Sequence, residues 1–150
     1  MNDTTNIENP KPPPEGIYGW LILPAIGLIL ALILDCVAIF LLLQMLPQFS
    51  DIGQRSLIIV DIAGSAFLFI LTIKVALNFF RKMKSAPRLY IALLLSNLAL
   101  QILLIFISAV TGPEEMHKHY FKGIGRAIFL AGVWIFYFKE SKRVKATFTK

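Results

Sequence analysis

From Tyr18 to Leu46 the chain is an almost unbroken apolar run, YGWLILPAIGLILALILDCVAIFLLLQML, 29 residues with one charge, Asp35, near its middle. Such a stretch is expected to span a membrane, because about 20 apolar residues at 1.5 Å each cross a hydrocarbon core of about 30 Å. The run exceeds that need, so the helix either tilts or starts in the headgroup region. Pro24 favours the second option, since a proline inside a helix removes a hydrogen bond and kinks it. Tyr18 and Trp20 then sit at headgroup level, where amphipathic rings gather. Pro47 marks the end of the span. Asp35 is the costly residue. A carboxylate in hydrocarbon needs a partner, a proton or water, and an ionisable group there is a functional candidate.

Three more apolar runs follow, from about Ser56 to Phe80, Leu89 to Gly112 and Phe121 to Phe138. Of the 150 residues 57% are hydrophobic and 16% charged, against about 45–50% and about 25% in soluble domains. These runs predict an all-α polytopic membrane protein with four transmembrane helices. Residues 1–17 form a polar, Pro-rich N-terminal segment, 18–138 the membrane domain and 139–150 a basic tail. No separate catalytic domain fits in the remainder, so no enzyme is expected. Pro12, Pro13 and Pro14 make an extended polyproline spacer. Residues 1–17 lack the basic start, apolar core and cleavage site of a secretory signal. Cys36, inside the first span, acts as a small hydrophobe, and neither metal-ligand nor redox spacing is present, so no cofactor is expected.

Charge sets the expected orientation. The link between spans two and three, RKMKSAPR, carries Arg81, Lys82, Lys84 and Arg88. The tail carries Lys139, Lys142, Arg143, Lys145 and Lys150. The opposite links hold Arg55 on one side, and Lys118 and Lys122 on the other. The positive-inside rule then puts both termini and the middle link in the cytoplasm. The net charge of +6 is therefore a topology signal, with attraction to anionic headgroups, and not a nucleic-acid signature. The tail SKRVKATFTK serves as a surface anchor, with docking of a membrane or cytoplasmic protein as the other use.

Further polar candidates inside the spans are Asp61, Lys74, Asn97, Gln101 and Arg126. With Leu21 at the inner edge, Asp35 is 14 residues in, about 21 Å deep. Asn97 and Gln101 share one helix face, at about 12 and about 18 Å from the same side. Gln101 is thus expected to donate to Asp35. Asp61 and Arg126 each lie about 7 Å from the outer side, a depth that allows them to pair. Arg126 can also reach toward Asp35. Lys74 snorkels to the inner headgroups, and Trp134 and Tyr137 anchor the end of span four. The simplest role for these groups is to join helices, aided by the small residues Ala63, Gly64, Ser65 and Ala66, and Gly123, Ala127 and Ala131. His117 and His119 are expected on a solvated outer link, where nothing fixes metal geometry. Ser65 and Ser108 lack a base at useful spacing, and no phosphate-binding glycine loop occurs.

Three stretches carry a family resemblance: GIYGWLILPAIGL (Gly16 to Leu28), FFRKMKSAPRLYIALLLSNL (Phe79 to Leu98) and VWIFYFKESKRVKATF (Val133 to Phe148). In that order they resemble the opening, the central cytoplasmic turn and the terminal signature of the YdgK-like family of bacterial inner-membrane proteins. The resemblance implies location and a four-helix topology, and carries no activity or catalytic residue. The links around Asp51 to Arg55 and Glu114 to Lys122 match nothing in it. The function expected is a non-enzymatic accessory, scaffold or partner-binding subunit of the inner membrane, a homo-oligomer being one form it can take. The alternative is a small proton- or ion-coupled transporter or channel using Asp35. A membrane-permeabilising effector is a third class.

Overall fold

The computed structural model describes residues 19–111 and 114–149, and these form helices joined by short links. Four long helices follow one another: α1 (Ile22–Met45), α2 (Ile52–Phe80), α3 (Ala86–Thr111) and α4 (Glu114–Glu140). A short α5 (Lys142–Thr147) completes the order. One turn of 3₁₀ helix (Gly19–Leu21) leads into α1, and another (Leu46–Gln48) follows it. The four long helices are each long and apolar enough to cross a membrane. Their surfaces agree with that. Ile26, Ile33 and Phe40 of α1 are all more than half exposed, as is natural against lipid and costly against water.

Three helices start earlier than their apolar runs, α3 by three residues at Ala86. α2 begins at Ile52, four residues before the expected Ser56, because the Asp51 carboxylate accepts from the Gln54 backbone N–H at 3.0 Å and satisfies one of the orphan donors of the first turn. α4 begins at Glu114 and not near Phe121. Glu114 and Lys118, one turn apart, form an ion pair at 2.8 Å, and an acid in the first turn suits the positive end of the helix dipole. His117, His119 and Tyr120 are therefore helical and not part of a link. Pro24 lies in the first turn of α1, where its missing N–H has no intrahelical partner to lose.

The α2–α3 link is tight. The Lys82 N–H donates to the Phe79 carbonyl at 3.1 Å and the Met83 N–H to the Asn78 carbonyl at 3.0 Å. This pairing is the Schellman motif, and it needs a left-handed residue at its centre. Here that residue is Lys82, at φ 56°, where glycine is the usual occupant.

α1 packs chiefly on α2, α2 on α3 and α3 on α4. The Leu100 side chain of α3 fills the space beside Gly64 of α2 so closely that a Cβ there would collide, so part of the expected small-residue face is used in this contact. Two apolar clusters result. The larger gathers Leu21, Val75, Phe79, Tyr90, Phe138 and Phe148, with others, at the end that holds the α2–α3 link. This is the basic end. The smaller joins Leu57, Leu104 and Tyr120 near the opposite end.

Candidate functional site

Three α-helices build a polar layer toward the end opposite the basic one. Asp61 of α2 is half-buried, and each of its carboxylate oxygens accepts one hydrogen bond. The Tyr120 hydroxyl of α4 donates to Oδ2 at 3.0 Å. The Ser65 hydroxyl, one turn along α2, donates to Oδ1 at 3.3 Å. Nearby, the Ser108 hydroxyl of α3 donates to the Ile105 carbonyl at 2.9 Å and lies 3.3 Å from Nδ1 of His117 on α4. These bonds tie α2 to α4 and α3 to α4.

The expected Asp61–Arg126 pair is not formed. Arg126 is exposed. It follows Tyr120 by six residues, and at 3.6 residues per turn that step carries it to a different side of α4. Tyr120 takes the place assigned to the arginine. The expected Asp35–Gln101 bond is not formed either. Gln101 faces α4, with its Oε1 lying 2.8 Å from where a Cβ on Gly123 would stand. That oxygen is buried without a hydrogen-bond donor. Asp35 is half-buried on α1, a helix that packs mainly on α2. Among the described residues nothing donates to its carboxylate. Asn97 and Lys74 are exposed, and the Lys74 carbonyl accepts from the Asn78 side chain at 2.8 Å.

The basic end is organised by aromatic rings. Phe148, just past α5, packs on Phe79 with centroids 5.1 Å apart. Tyr90 meets Phe138 at 4.7 Å, and its hydroxyl reaches toward Gly27 of α1. Trp134 and Tyr137 pack edge to face at 5.8 Å, and both touch Phe138. They pack against this cluster, and the Tyr137 hydroxyl is buried without a partner. Trp20 is 67% exposed at the start of α1, while Tyr18 and residues 1–17 lie outside the described residues. Ser141 caps α5 by accepting from the Val144 N–H at 3.4 Å. Val144, Thr147 and Phe148 are buried, which turns Lys142 and Lys145 outward. Arg143 lies on the same short helix. Across the cluster, Arg81, Lys84 and Arg88 are exposed and Lys82 half-buried.

Residues 14–149 match the family described as Protein of unknown function (DUF2569). The chain belongs to this family. It is also similar to the Inner membrane protein YdgK of Escherichia coli (strain K12), at 30% identity over 143 residues, covering 90% of this chain and 94% of that protein. No solved structure matches. With four helices of spanning length, this DUF2569 member is a multi-pass inner-membrane protein.

Within this DUF2569 chain, sequence reasoning missed Tyr120 and the folded α5. Tyr120 was hidden because the stretch before Phe121 is polar. The Glu114–Lys118 spacing was the available signal for a helix there. For α5 the signal was Ser141 followed by Val144, Thr147 and Phe148, a capping residue ahead of apolar positions at helical spacing.

Proposed function

We propose that this protein is a non-enzymatic inner-membrane subunit whose basic end is a docking platform on the cytoplasmic face. In this reading both termini and the α2–α3 link are cytoplasmic, on the strength of the lysine and arginine distribution. The observation that carries it is the pinned α5: Phe148 packed on Phe79 holds a short helix in place, with Lys142 and Lys145 outward. A tail serving solely as a topology signal needs charge but no fixed shape. A held helix beside Arg81, Lys84 and Arg88 offers a fixed pattern of charge, to which an acidic surface on a membrane or cytoplasmic protein is complementary. Anionic headgroups are attracted to the same charges at about 1 kcal/mol each.

A photoreactive side chain at position 145 is expected to give a discrete protein adduct in cells, lost in Phe148→Ala while the protein remains inserted. Adducts with lipid alone overturn the platform. A reporter joined after residue 150 through a spacer is expected to report the cytoplasm, and a periplasmic signal overturns the orientation. The alternative, a small proton- or ion-coupled transporter or channel built on Asp35, draws support from the absence of a donor to that carboxylate among the described residues. Proton-linked flux in vesicles that is abolished by Asp35→Asn with intact folding would favour it, and flux unchanged by that substitution removes it.

A further inference from the structure

Asp35 and Arg126 are opposite charges at nearly the same height in the bundle. Counted from the end opposite the basic one, Asp35 lies ten residues before Met45 and Arg126 twelve residues after Glu114, about 15 and about 18 Å at 1.5 Å per residue. Counted from the basic end, Asp35 is thirteen residues from Ile22 and Arg126 fourteen from Glu140, about 20 and about 21 Å. Both counts agree to within one helical turn, which an arginine side chain spans. Yet the two do not meet within the chain. α1 packs chiefly on α2 and α4 on α3, and α1 and α4 share no extended interface among the described residues. Asp35 has no donor there and Arg126 no acceptor.

We infer that two copies of this chain associate side by side in the membrane, with Asp35 of each pairing with Arg126 of the partner subunit. A two-fold axis along the membrane normal preserves height. It therefore brings a carboxylate and a guanidinium at matched depth together twice, once on each side of the axis. Charges inside a bilayer pair with one another because the hydrocarbon offers nothing else. The flanking residues also complement each other. One turn either side of Asp35 are Ala31 and Ala38, half-buried with it along the stripe of α1 that also carries buried Leu28, so the carboxylate is flanked by small side chains at the edge of the helix pair. One turn and two turns beyond Arg126 are Phe129 and Val133, 69% and 47% exposed, which stand out from α4. Small residues are what let helices approach in lipid, and those beside Asp35 leave room for the longer arginine arm of the partner subunit. This pairing lies in the middle of the membrane and does not depend on the docking platform at the basic end.

The test uses full chains in phospholipid vesicles, tagged with donor and acceptor fluorophores, and reads dimer population by energy transfer as a function of dilution in lipid. Asp35→Asn and Arg126→Gln are neutral variants chosen because they insert at least as readily as the native residues. Each alone is expected to weaken association by about tenfold for every pair lost, and each homodimer loses both pairs. A mixture of the two variants restores one complete pair, since the Arg126→Gln copy still offers Asp35 and the Asp35→Asn copy still offers Arg126. The mixture is therefore expected to associate about tenfold more tightly than either variant alone. A monomeric native protein overturns the inference. So does association unaffected by the substitutions, or a mixture no tighter than its components, which is the result if the two groups bond within one chain or reach water separately.

Discussion

Asp61 and Asp35 are the same side chain at nearly the same depth, nine residues after Ile52 and ten before Met45 on two helices that pack together. Their circumstances are opposite. Asp61 faces into the bundle, and both of its oxygens have a donor, one from Tyr120 of α4 and one from Ser65 of its own helix. Asp35 is half-buried on α1 and has no donor among the described residues. Depth makes both carboxylates expensive, and orientation about the helix axis decides how each is satisfied. One is answered inside the chain and so holds α2 to α4. The other is answered, in the proposed pairing, by a second copy.

That contrast breaks most visibly at Tyr120. Tyr120→Phe keeps the ring and removes the donor to Asp61, and it is expected to lower stability by about 1–3 kcal/mol, the penalty for a semi-buried acceptor left unmet. Thermal unfolding in bicelles measures it, and an unchanged midpoint would mean that Asp61 does not depend on Tyr120. Gly64→Ala tests the helix that carries Asp61 by placing a methyl group against Leu100. Overpacking of this kind costs about 1–3 kcal/mol, and the loss is to be read in the same unfolding assay. Ser65→Ala removes the weaker, longer bond and is expected to cost about 0.5–1.5 kcal/mol. Asp35→Asn sharpens the other side of the comparison. It is expected to leave the unfolding midpoint of the diluted monomer unchanged, and a loss as large as that of Tyr120→Phe would show that Asp35 is bonded within the chain. Lys82→Gly, remote from both carboxylates, relieves the left-handed strain at φ 56° and is expected to add about 0.5–1 kcal/mol. A destabilised Lys82→Gly protein would mean that the lysine side chain contributes more than its backbone costs.

The spans were legible because an apolar run of bilayer length has few other uses. Position along each helix was legible too, since rise per residue is fixed. The direction in which each polar group points was not. In a helix such as α1, residues that face lipid and residues that face protein are the same apolar types, so no amphipathic stripe marks the inner side. Gln101 and Asp35 were matched in height and still point to different neighbours, Gln101 toward Gly123 of α4. Asp61 and Arg126 failed for the same reason, six residues separating Arg126 from the tyrosine that does reach Asp61. Trp134 and Tyr137 touch Phe138 within α4, but the meeting of Phe138 with Tyr90 of α3 depends on α4 turning toward α3, which no local pattern encodes.

The aromatic cluster at the basic end draws on the first helix, the last segment and everything between, from Leu21 through Phe79 and Tyr90 to Phe148. Each long helix satisfies its own backbone bonds and can therefore enter the bilayer by itself. The cluster cannot. It requires residues from distant parts of the chain to meet, and such contacts come late in assembly because loop closure must precede them. Insertion and sealing are thus separate events, and the seal is a record that every span has arrived in register. A chain with one span misplaced would leave Phe79 and Tyr90 uncovered.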